Sequence, residues 1–137
     1  MLLVRRGRWA VGVFDGSDLV VSKVDARLVQ GRTAAGGTSQ QRYARRRGNQ
    51  ADAAAEEAAD IAARVLLPHA PGAATDPVAA VVCGGDRSMV DAVLTDRRLA
   101  PLLALRHPHL LDCAEPRLTV LEEAAVTARR VRIHLVP

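Results

Sequence analysis

Hydrophobic and polar positions first alternate near the start of the chain. Trp9, Val11 and Val13 stand at every second position, which is the pattern of a half-buried strand. Asp15-Gly16 follows and is typical of a tight turn between two antiparallel strands. Leu19–Val24 is then predicted to be the returning strand, so that the segment forms a hairpin.

Two segments of different character follow the hairpin. Asp25–Val29 keeps a strand-like composition after a break at Asp25 and predicts a third strand. Gln30–Ser39 contains no large apolar residue, so packing cannot hold it in place. Loops of this length within compact domains are usually functional or disordered. The second segment is therefore a candidate functional loop.

A helical period begins after this loop. Small apolar residues recur at spacings of three and four along Ala51–Leu66, with acidic residues between them. The helix is predicted to begin near Thr38-Ser39, because Thr38 and Gln41 fit a capping box. Gly48-Asn49 is a candidate interruption of its first turns. Pro68 marks its end.

A strand, a turn and a helix are predicted in the middle of the chain. Val78–Cys83 is a continuous apolar run, as expected of a buried strand. Gly84-Gly85 follows as a tight turn, with Asp86 or Ser88 as the cap of the next helix. The apolar spacing within Met89–Leu94 predicts that helix.

The C-terminal third completes an α/β pattern. Leu99–Leu105 is compatible with a short helix or a strand, and Leu110-Leu111 lies near a further strand. Leu118–Arg130 is predicted to be helical, and the alternation in Val131–Val136 predicts an edge strand. The fold class is therefore α/β, with a mixed β-sheet, an opening hairpin and packed helices. We expect residues 1–137 to form a single domain.

Composition excludes several classes of protein. With 49% hydrophobic and 25% charged residues over 137 positions, the chain has the composition of a soluble globular protein. The three aromatic residues are too few for a row of base-stacking rings. No apolar run is long enough to span a bilayer, and the N-terminal order of charges is wrong for a secretory signal. We expect a cytoplasmic protein whose cysteines, Cys83 and Cys113, are reduced.

Positive charge is concentrated in one stretch of the chain. The net charge is +4, yet no acidic residue occurs between Asp25 and Asp52. That stretch contains six arginines, which leaves −2 for the rest of the chain: Arg27, Arg32, Arg42, Arg45, Arg46 and Arg47. A local basic patch on an otherwise slightly acidic chain points to a phosphate-rich partner.

Other groups of residues that could be metal-binding or catalytic are better explained by structural roles. The sequence cluster of His107, His109, Asp112 and Cys113 lacks a second ligand pair, so a loop before a strand is favoured over a zinc site. A Gly-x-Ser-x-Gly nucleophile motif is absent from the sequence. The adjacent carboxylates Glu56-Glu57 and Glu122-Glu123 point in different directions on a helix and are predicted to be solvated.

The segment Gly36–Arg47 therefore contains the remaining candidate functional residues. Arg42, Arg45 and Arg46 fall on one face of the predicted helix, where they could bind neighbouring phosphates together. The backbone of Gly36-Gly37 could enter a narrow space. The structural alternative is a merely solvated face. The lack of any compensating acid favours contact with a nucleic acid.

This segment resembles the signature of eukaryotic and archaeal peptide-chain release factors. Their middle domain carries Gly-Gly-Gln-Ser, followed by a helix that starts Arg-aromatic-Ala-Arg. Gly36-Gly37-Thr38-Ser39 and Arg42-Tyr43-Ala44-Arg45 match this signature apart from one position. The turn Phe14-Asp15-Gly16 and the Val78–Cys83 run also fall where that domain places them. The resemblance implies the fold of that middle domain.

The one position that differs from the release-factor signature makes the resemblance more specific. Thr38 stands where release factors have glutamine, and Gln40 occurs two residues later. This shifted pattern is similar to that of the VLRF family, release-factor-like peptidyl-tRNA hydrolases of ribosome rescue, and in particular to its actinobacterial branch. The resemblance implies that Gln40 is catalytic; Gln41 competes for that role but has a structural role in the capping box. It also implies a set of loop-positioning residues: Gly36, Gly37, Thr38, Ser39 and Gln41.

The resemblance implies partners as well. They are the large ribosomal subunit, peptidyl-tRNA and rRNA, with neither a membrane nor a metal or organic cofactor. The implied RNA-binding residues are Arg32, Arg42, Arg45, Arg46 and Arg47. If all six arginines of the acid-free stretch bound phosphates, log affinity would fall against log salt with a slope of roughly −4. The alternatives are a non-catalytic RNA-binding or ribosome-binding module of the same fold and a protein-interaction domain.

Overall fold

A computed structural model describes residues 1–27 and 38–130, without the side chains of residues 38–44, 46 and 47. The described residues form strands and helices in a mixed order along the chain. Two 3₁₀ turns, Leu67–His69 and Arg97–Leu99, join some of them. The elements are β1 (Leu2–Arg5), β2 (Arg8–Asp15), β3 (Asp18–Ala26), α1 (Thr38–Leu66), β4 (Cys83–Gly85), α2 (Arg87–Leu94), α3 (Ala100–Leu103) and α4 (Leu118–Ala128).

The strands form one mixed sheet in the order β3-β2-β1-β4. The β1–β2 and β2–β3 pairs are antiparallel, whereas β1 and β4 are parallel. Two isolated parallel bridges, Val81 with Arg106 and Gly84 with Leu111, extend the pairing beyond β4. The predicted α/β class with a mixed sheet is confirmed.

The predicted hairpin is confirmed as β2 and β3. Asp15 pairs with Asp18, and Gly16 between them has φ +60°, a conformation that favours glycine. The predicted break at Asp25 is wrong, because β3 continues to Ala26 with Asp25 opposite Trp9. Asp25 is exposed on an edge strand, where its carboxylate stays in water and accepts from the Ala26 N–H at 2.8 Å. The rest of the predicted third strand, beyond residue 27, lies outside the described residues.

Strand β1 was not predicted from the sequence. Leu2, Leu3 and Val4 are all completely buried, because β1 lies inside the sheet with helices on both faces. A strand that is buried on both faces has no alternation of polar and apolar residues. Its four residues therefore carried no periodic signal.

The second predicted strand is shorter and starts later than expected. Val78–Cys83 was the prediction, but β4 spans Cys83–Gly85 and includes the glycines that were expected to form the turn. A Cβ on Gly84 would lie 2.8 Å from Leu3 Cδ2, and a Cβ on Gly85, at φ +104°, would overlap the Val4 carbonyl oxygen. The glycines are thus needed for the close approach of β4 to β1.

Two helical layers enclose the sheet. On one face α1 and α2 pack against Leu2, Val4 and Trp9. On the other face α4 packs through Leu121 against the side of β1 that carries Leu3. The sheet is therefore the middle of three layers.

Helix α1 begins at Thr38, as predicted, and is continuous to Leu66. The predicted interruption at Gly48-Asn49 is wrong. Gly48 is exposed, and a Cβ there would meet nothing within 4 Å. A helical glycine costs only about 1 kcal/mol relative to alanine. That cost is too small to break a helix whose C-terminal half is packed on the sheet.

The remaining predictions divide between confirmed and untested ones. Helix α2 and its Asp86 cap are confirmed, since the Asp86 carboxylate accepts from the Ser88 and Met89 N–H groups. Of the two alternatives for Leu99–Leu105, the short helix is confirmed: α3 spans Ala100–Leu103, with Pro101 in its first turn. The prediction for Leu118–Arg130 is confirmed as α4, which ends two residues earlier. The predicted edge strand Val131–Val136 lies outside the described residues.

Candidate functional site

The candidate residues cluster at the start of α1. Thr38, Ser39, Gln40 and Gln41 form the first helical turn, and the run Arg42–Arg47 occupies the following turns. Arg45 is the candidate whose side chain is described, and it is exposed. The capping-box contact involves side chains outside the description. Three further candidates lie wholly outside the described residues: Arg32, Gly36 and Gly37.

The described side chains near the start of α1 are exposed. Ala54, the first buried side chain described in the helix, follows Thr38 by 16 residues. At 1.5 Å per residue this is about 24 Å along the helix axis. Arg45, Gly48 and Asn49, which lie between these points, are exposed. These three described residues therefore add nothing to the core.

Electrostatics within the first turns oppose helix formation. The unpaired N–H groups at a helix start carry partial positive charge, which acidic side chains usually balance. The first turn of α1 has no acidic residue, and arginines follow it. Arginines three and four positions apart also repel one another. A polyanionic partner would offset both costs.

Several arginines in the body of the protein, meaning the sheet and the helices packed on it, have acidic partners. Arg98 Nη2 lies 2.6 Å from Asp60 Oδ1, and Arg106 Nη2 lies 2.7 Å from Asp91 Oδ1. Glu115 accepts from two further arginines at 3.0 Å: Arg8 and Arg117. By contrast, Arg45 has no carboxylate partner among the side chains that the structure describes. Arg64 and Arg87 likewise have no carboxylate partner among the described side chains. The distinguishing feature of the helix start is therefore the absence of acids from its sequence.

Arg27, the first arginine of the acid-free stretch, has an acidic partner. Its guanidinium forms an ion pair with Glu57 of α1, 30 residues later in the sequence. The prediction that Glu57 is merely solvated is therefore wrong. No spacing rule relates a strand end to a helix position so distant, so the sequence carried no signal for this pair. Arg45 is the other arginine of the stretch whose side chain is described, and it has no such partner among the described side chains.

The structure also describes the other residues that the sequence singled out. His107 Nδ1 accepts from the His109 N–H at 3.1 Å. In residues 1–27 and 38–130, no three His, Cys, Asp or Glu side chains converge as metal ligands do. Cys83 and Cys113 are free thiols. Burial raises the pKa of the Cys83 thiol, which disfavours its nucleophilic thiolate form.

A family of translation factors matches almost the whole sequence. The family model acVLRF1, the Actinobacteria/chloroflexi VLRF1 release factor, matches residues 1–134. The chain belongs to this release-factor family. The resemblance inferred from residues 36–47 is therefore confirmed by a match that covers nearly every element of the fold.

A solved relative supports the fold of this VLRF1-family chain. The crystal structure of the archaeal translation termination factor aRF1 aligns with a TM-score of 0.63 and 21% sequence identity. The alignment covers 95% of this chain and 34% of the archaeal factor, so the chain spans about a third of that factor's length. No curated protein matches the sequence. At this identity the structural match shows a shared fold.

The family assigns the chain a ribosome-related role of the release-factor type. Among the helices that the structure describes, none is both long and apolar enough to cross a bilayer. The roles of Gln40 and of the individual arginines remain predictions.

Proposed function

We propose that this VLRF1-family chain is a ribosome-rescue peptidyl-tRNA hydrolase, in which Gln40 positions the attacking water. The observation that carries the proposal is membership in a release-factor family over residues 1–134. The position of Gln40 within the family-like signature supports its role, since it lies in the first turn of a helix that extends beyond the core. We further propose that residues 1–137 act as one domain.

The chemistry suits the residue types at this site. Peptidyl-tRNA is an ester, so hydrolysis chiefly requires a water held in line with the carbonyl and stabilisation of the developing oxyanion. Glutamine has no useful pKa and cannot act as a general base. Its amide would orient the water, while the terminal ribose of the tRNA and the ribosome would handle the proton. The reaction requires neither a metal nor an organic cofactor.

The arginines would dock the helix start on RNA. Arg45 is exposed and has no carboxylate partner among the described side chains, which leaves its guanidinium available for a phosphate. The backbone N–H groups at the start of α1 add positive potential in the same region. The proposed partners are the large ribosomal subunit, its rRNA and peptidyl-tRNA. Four further arginines share the RNA contact: Arg32, Arg42, Arg46 and Arg47.

One observation favours a second candidate function. Thr38 occupies the position at which the release-factor signature has its glutamine. If the shifted Gln40 cannot reach the ester, the chain would be a non-catalytic RNA-binding or ribosome-binding module of the same fold.

Peptide release from isolated large subunits tests both candidates. Large subunits that carry labelled nascent peptidyl-tRNA are incubated with wild type, Gln40→Ala or Gln41→Ala. Asn49→Ala is the matched control, because it removes an exposed side-chain amide from the same helix. Association with the subunits is measured in parallel by co-sedimentation.

The hydrolase proposal expects release to be lost with Gln40→Ala alone. The loss should be about 100-fold, as for removal of one group that stabilises the transition state. Association with the subunits should stay unchanged. Binding by wild type without any release would contradict the hydrolase proposal and support the binding module. Loss of release with Gln41→Ala alone would assign the role to Gln41.

A further inference from the structure

Residues 107–110 form an arch between the two isolated bridges beside β4. Val81 and Gly84 are three positions apart in the sequence, whereas their bridge partners, Arg106 and Leu111, are five positions apart. The partner segment therefore has two residues more than the segment it follows, and the surplus bows out of the sheet. Pro108, within the arch, has no N–H group and cannot donate to a neighbouring strand.

Hydrogen bonds hold the arch in place. The His107 N–H donates to the Val81 carbonyl oxygen at 2.8 Å, and the Leu111 N–H donates to the Cys83 carbonyl oxygen at 2.9 Å. Within the arch, the His109 N–H donates to His107 Nδ1 at 3.1 Å. An imidazole that accepts at Nδ1 carries its hydrogen on Nε2. His107 Nε2 can therefore donate to a ligand.

The arch and the end of α4 line a cavity of about 580 Å³. This volume lies within the range of small-molecule sites. The arch contributes His107 and His109, and the end of α4 contributes Thr127 and Arg130. All four side chains can donate hydrogen bonds. The remaining described lining residues are apolar: Val82, Leu111 and Ala128.

The charge of the lining is positive. No carboxylate is among the described residues that line the cavity. Arg130 also has no carboxylate partner among the described side chains. A guanidinium matches the geometry of a phosphate, because it donates two parallel hydrogen bonds. The cavity therefore suits a phosphate joined to a group with an apolar face, and a nucleotide combines the two.

The position of Arg130 also has a structural explanation. Cations after the C-terminus of a helix balance the partial negative charge of its last carbonyl groups. Arg129 and Arg130 both follow α4 and are both exposed, so this role applies to either. Arg130 lines the cavity described above, whereas Arg129 lines a separate one with Met1 and Phe14. Arg129 is therefore a matched control for a ligand-binding role of Arg130.

We propose that this cavity is a nucleotide-binding site, in which Arg130 and His107 Nε2 bind the phosphate and the apolar residues contact the base. The inference does not depend on the proposed hydrolysis, because none of its residues belongs to the candidate site at the start of α1. A free mononucleotide and a nucleotide within an RNA strand share this chemistry. The experiment therefore includes both.

An NMR titration of the whole chain tests the site. The amide signals of wild type are followed as adenosine 5′-monophosphate is added. The titration is repeated with adenosine, which lacks the phosphate, and with inorganic phosphate, which lacks the base. Arg130→Ala removes the guanidinium without altering the arch, and Arg129→Ala is the control. The amide spectrum of each variant also shows whether it is folded.

The expected result is a saturable shift of the amide signals of the cavity residues with the mononucleotide. Arg130→Ala weakens the affinity about tenfold, because a charge-assisted hydrogen bond to the phosphate is lost. Arg129→Ala leaves the affinity unchanged. Adenosine and inorganic phosphate each bind more weakly than the mononucleotide.

A single-stranded RNA oligonucleotide, added to the mononucleotide complex, identifies the source of the ligand. Displacement of the mononucleotide from the cavity residues supports a nucleotide within a strand. Retention of the mononucleotide supports a free one. Both results are consistent with the proposed site.

Three outcomes overturn the inference. The first is the absence of a saturable shift at the cavity residues with the mononucleotide. The second is adenosine binding as tightly as its monophosphate, because the phosphate would then not be recognised. The third is an equal loss of affinity with Arg129→Ala and Arg130→Ala, which would show that only net charge matters.

Discussion

The start of α1 and the body of the protein differ in the distribution of their acidic residues and in the burial of their described side chains. In the body, Arg98 and Arg106 lie against carboxylates, and the apolar side chains of the sheet are buried. At the start of α1, acids are absent from the sequence, and the described residues Arg45, Gly48 and Asn49 are exposed. The body is thus stabilised internally, whereas the absence of acids at the helix start supports the proposal of an external, negatively charged partner.

Arg27 lies at the boundary between these two regions. It belongs by sequence to the acid-free stretch, but its ion pair with Glu57 places it with the body. The expected salt slope of log affinity therefore changes from roughly −4 for six arginines to roughly −3.5 for five.

The largest expected effect is in the core, at the central strand. Leu3→Ala removes a completely buried side chain from β1, and should lower the free energy of unfolding by about 2–5 kcal/mol. Val20→Ala is the matched control, since Val20 is 54% exposed on the edge strand and should change stability by less than about 0.5 kcal/mol. Urea unfolding measures both. Equal effects of the two variants would contradict the assignment of β1 to the core.

The next effect concerns RNA contact by the helix start. Arg45→Ala with Arg46→Ala removes two phosphate contacts, so affinity for large subunits should fall about tenfold and the salt slope should flatten by about 1.4. The free energy of unfolding should not fall.

A charge-matched control comes from the body. Arg98→Ala with Arg106→Ala also removes two arginines, but both pair with internal acids. Titrations at several salt concentrations should show an unchanged slope for this variant. If both double variants flatten the slope equally, binding depends on net charge alone, and the contrast between the two regions fails.

A smaller effect is expected at the cap of α2. The Ser88 hydroxyl donates to the Asp86 carboxylate at 2.7 Å, and together with two backbone N–H groups it holds the pKa of Asp86 below its usual value. Asp86→Ala should cost about 1 kcal/mol at neutral pH. Because the folded-state pKa is lowered, this stabilisation is complete above the unfolded-state pKa of about 4 and is lost as pH falls through the folded-state value.

Urea unfolding at pH 7 and at pH 3 checks this cap. The difference between wild type and Asp86→Ala should shrink at the lower pH. Asp76→Ala, which removes an exposed carboxylate from a loop, should have little effect at either pH. A difference that does not depend on pH would show that the ionised carboxylate is not what stabilises α2.

The smallest effect is a gain in stability. Gly48 lies in α1 with open space around the position of a Cβ, so Gly48→Ala should raise the free energy of unfolding by about 0.5–1 kcal/mol. Gly85→Ala is the opposite control, because φ is +104° and the Cβ would overlap the Val4 carbonyl oxygen. The midpoint temperature of thermal unfolding should be higher than wild type for Gly48→Ala and lower for Gly85→Ala. No gain with Gly48→Ala would indicate that the first half of α1 adds nothing to the stability of the fold.

Sequence reasoning succeeded where local periodicity was strong. The hairpin, the long α1, the Asp86 cap and α4 all follow from spacing and capping preferences that act within a few residues. It failed for β1, which has no alternation, and placed β4 too early in an apolar run. In both cases the deciding contacts are between strands distant in sequence.

The sequence alone determined the family signature and the distribution of charge. The segment Gly36–Arg47 and the lack of acids between Asp25 and Asp52 are properties of residue order, so they could be recognised without coordinates. Tertiary structure decided that Arg27 pairs internally and where along α1 the buried residues lie. The reason is physical: the partner of Arg27 lies 30 residues away, and only the packing of α1 against the sheet brings Glu57 to the end of β3.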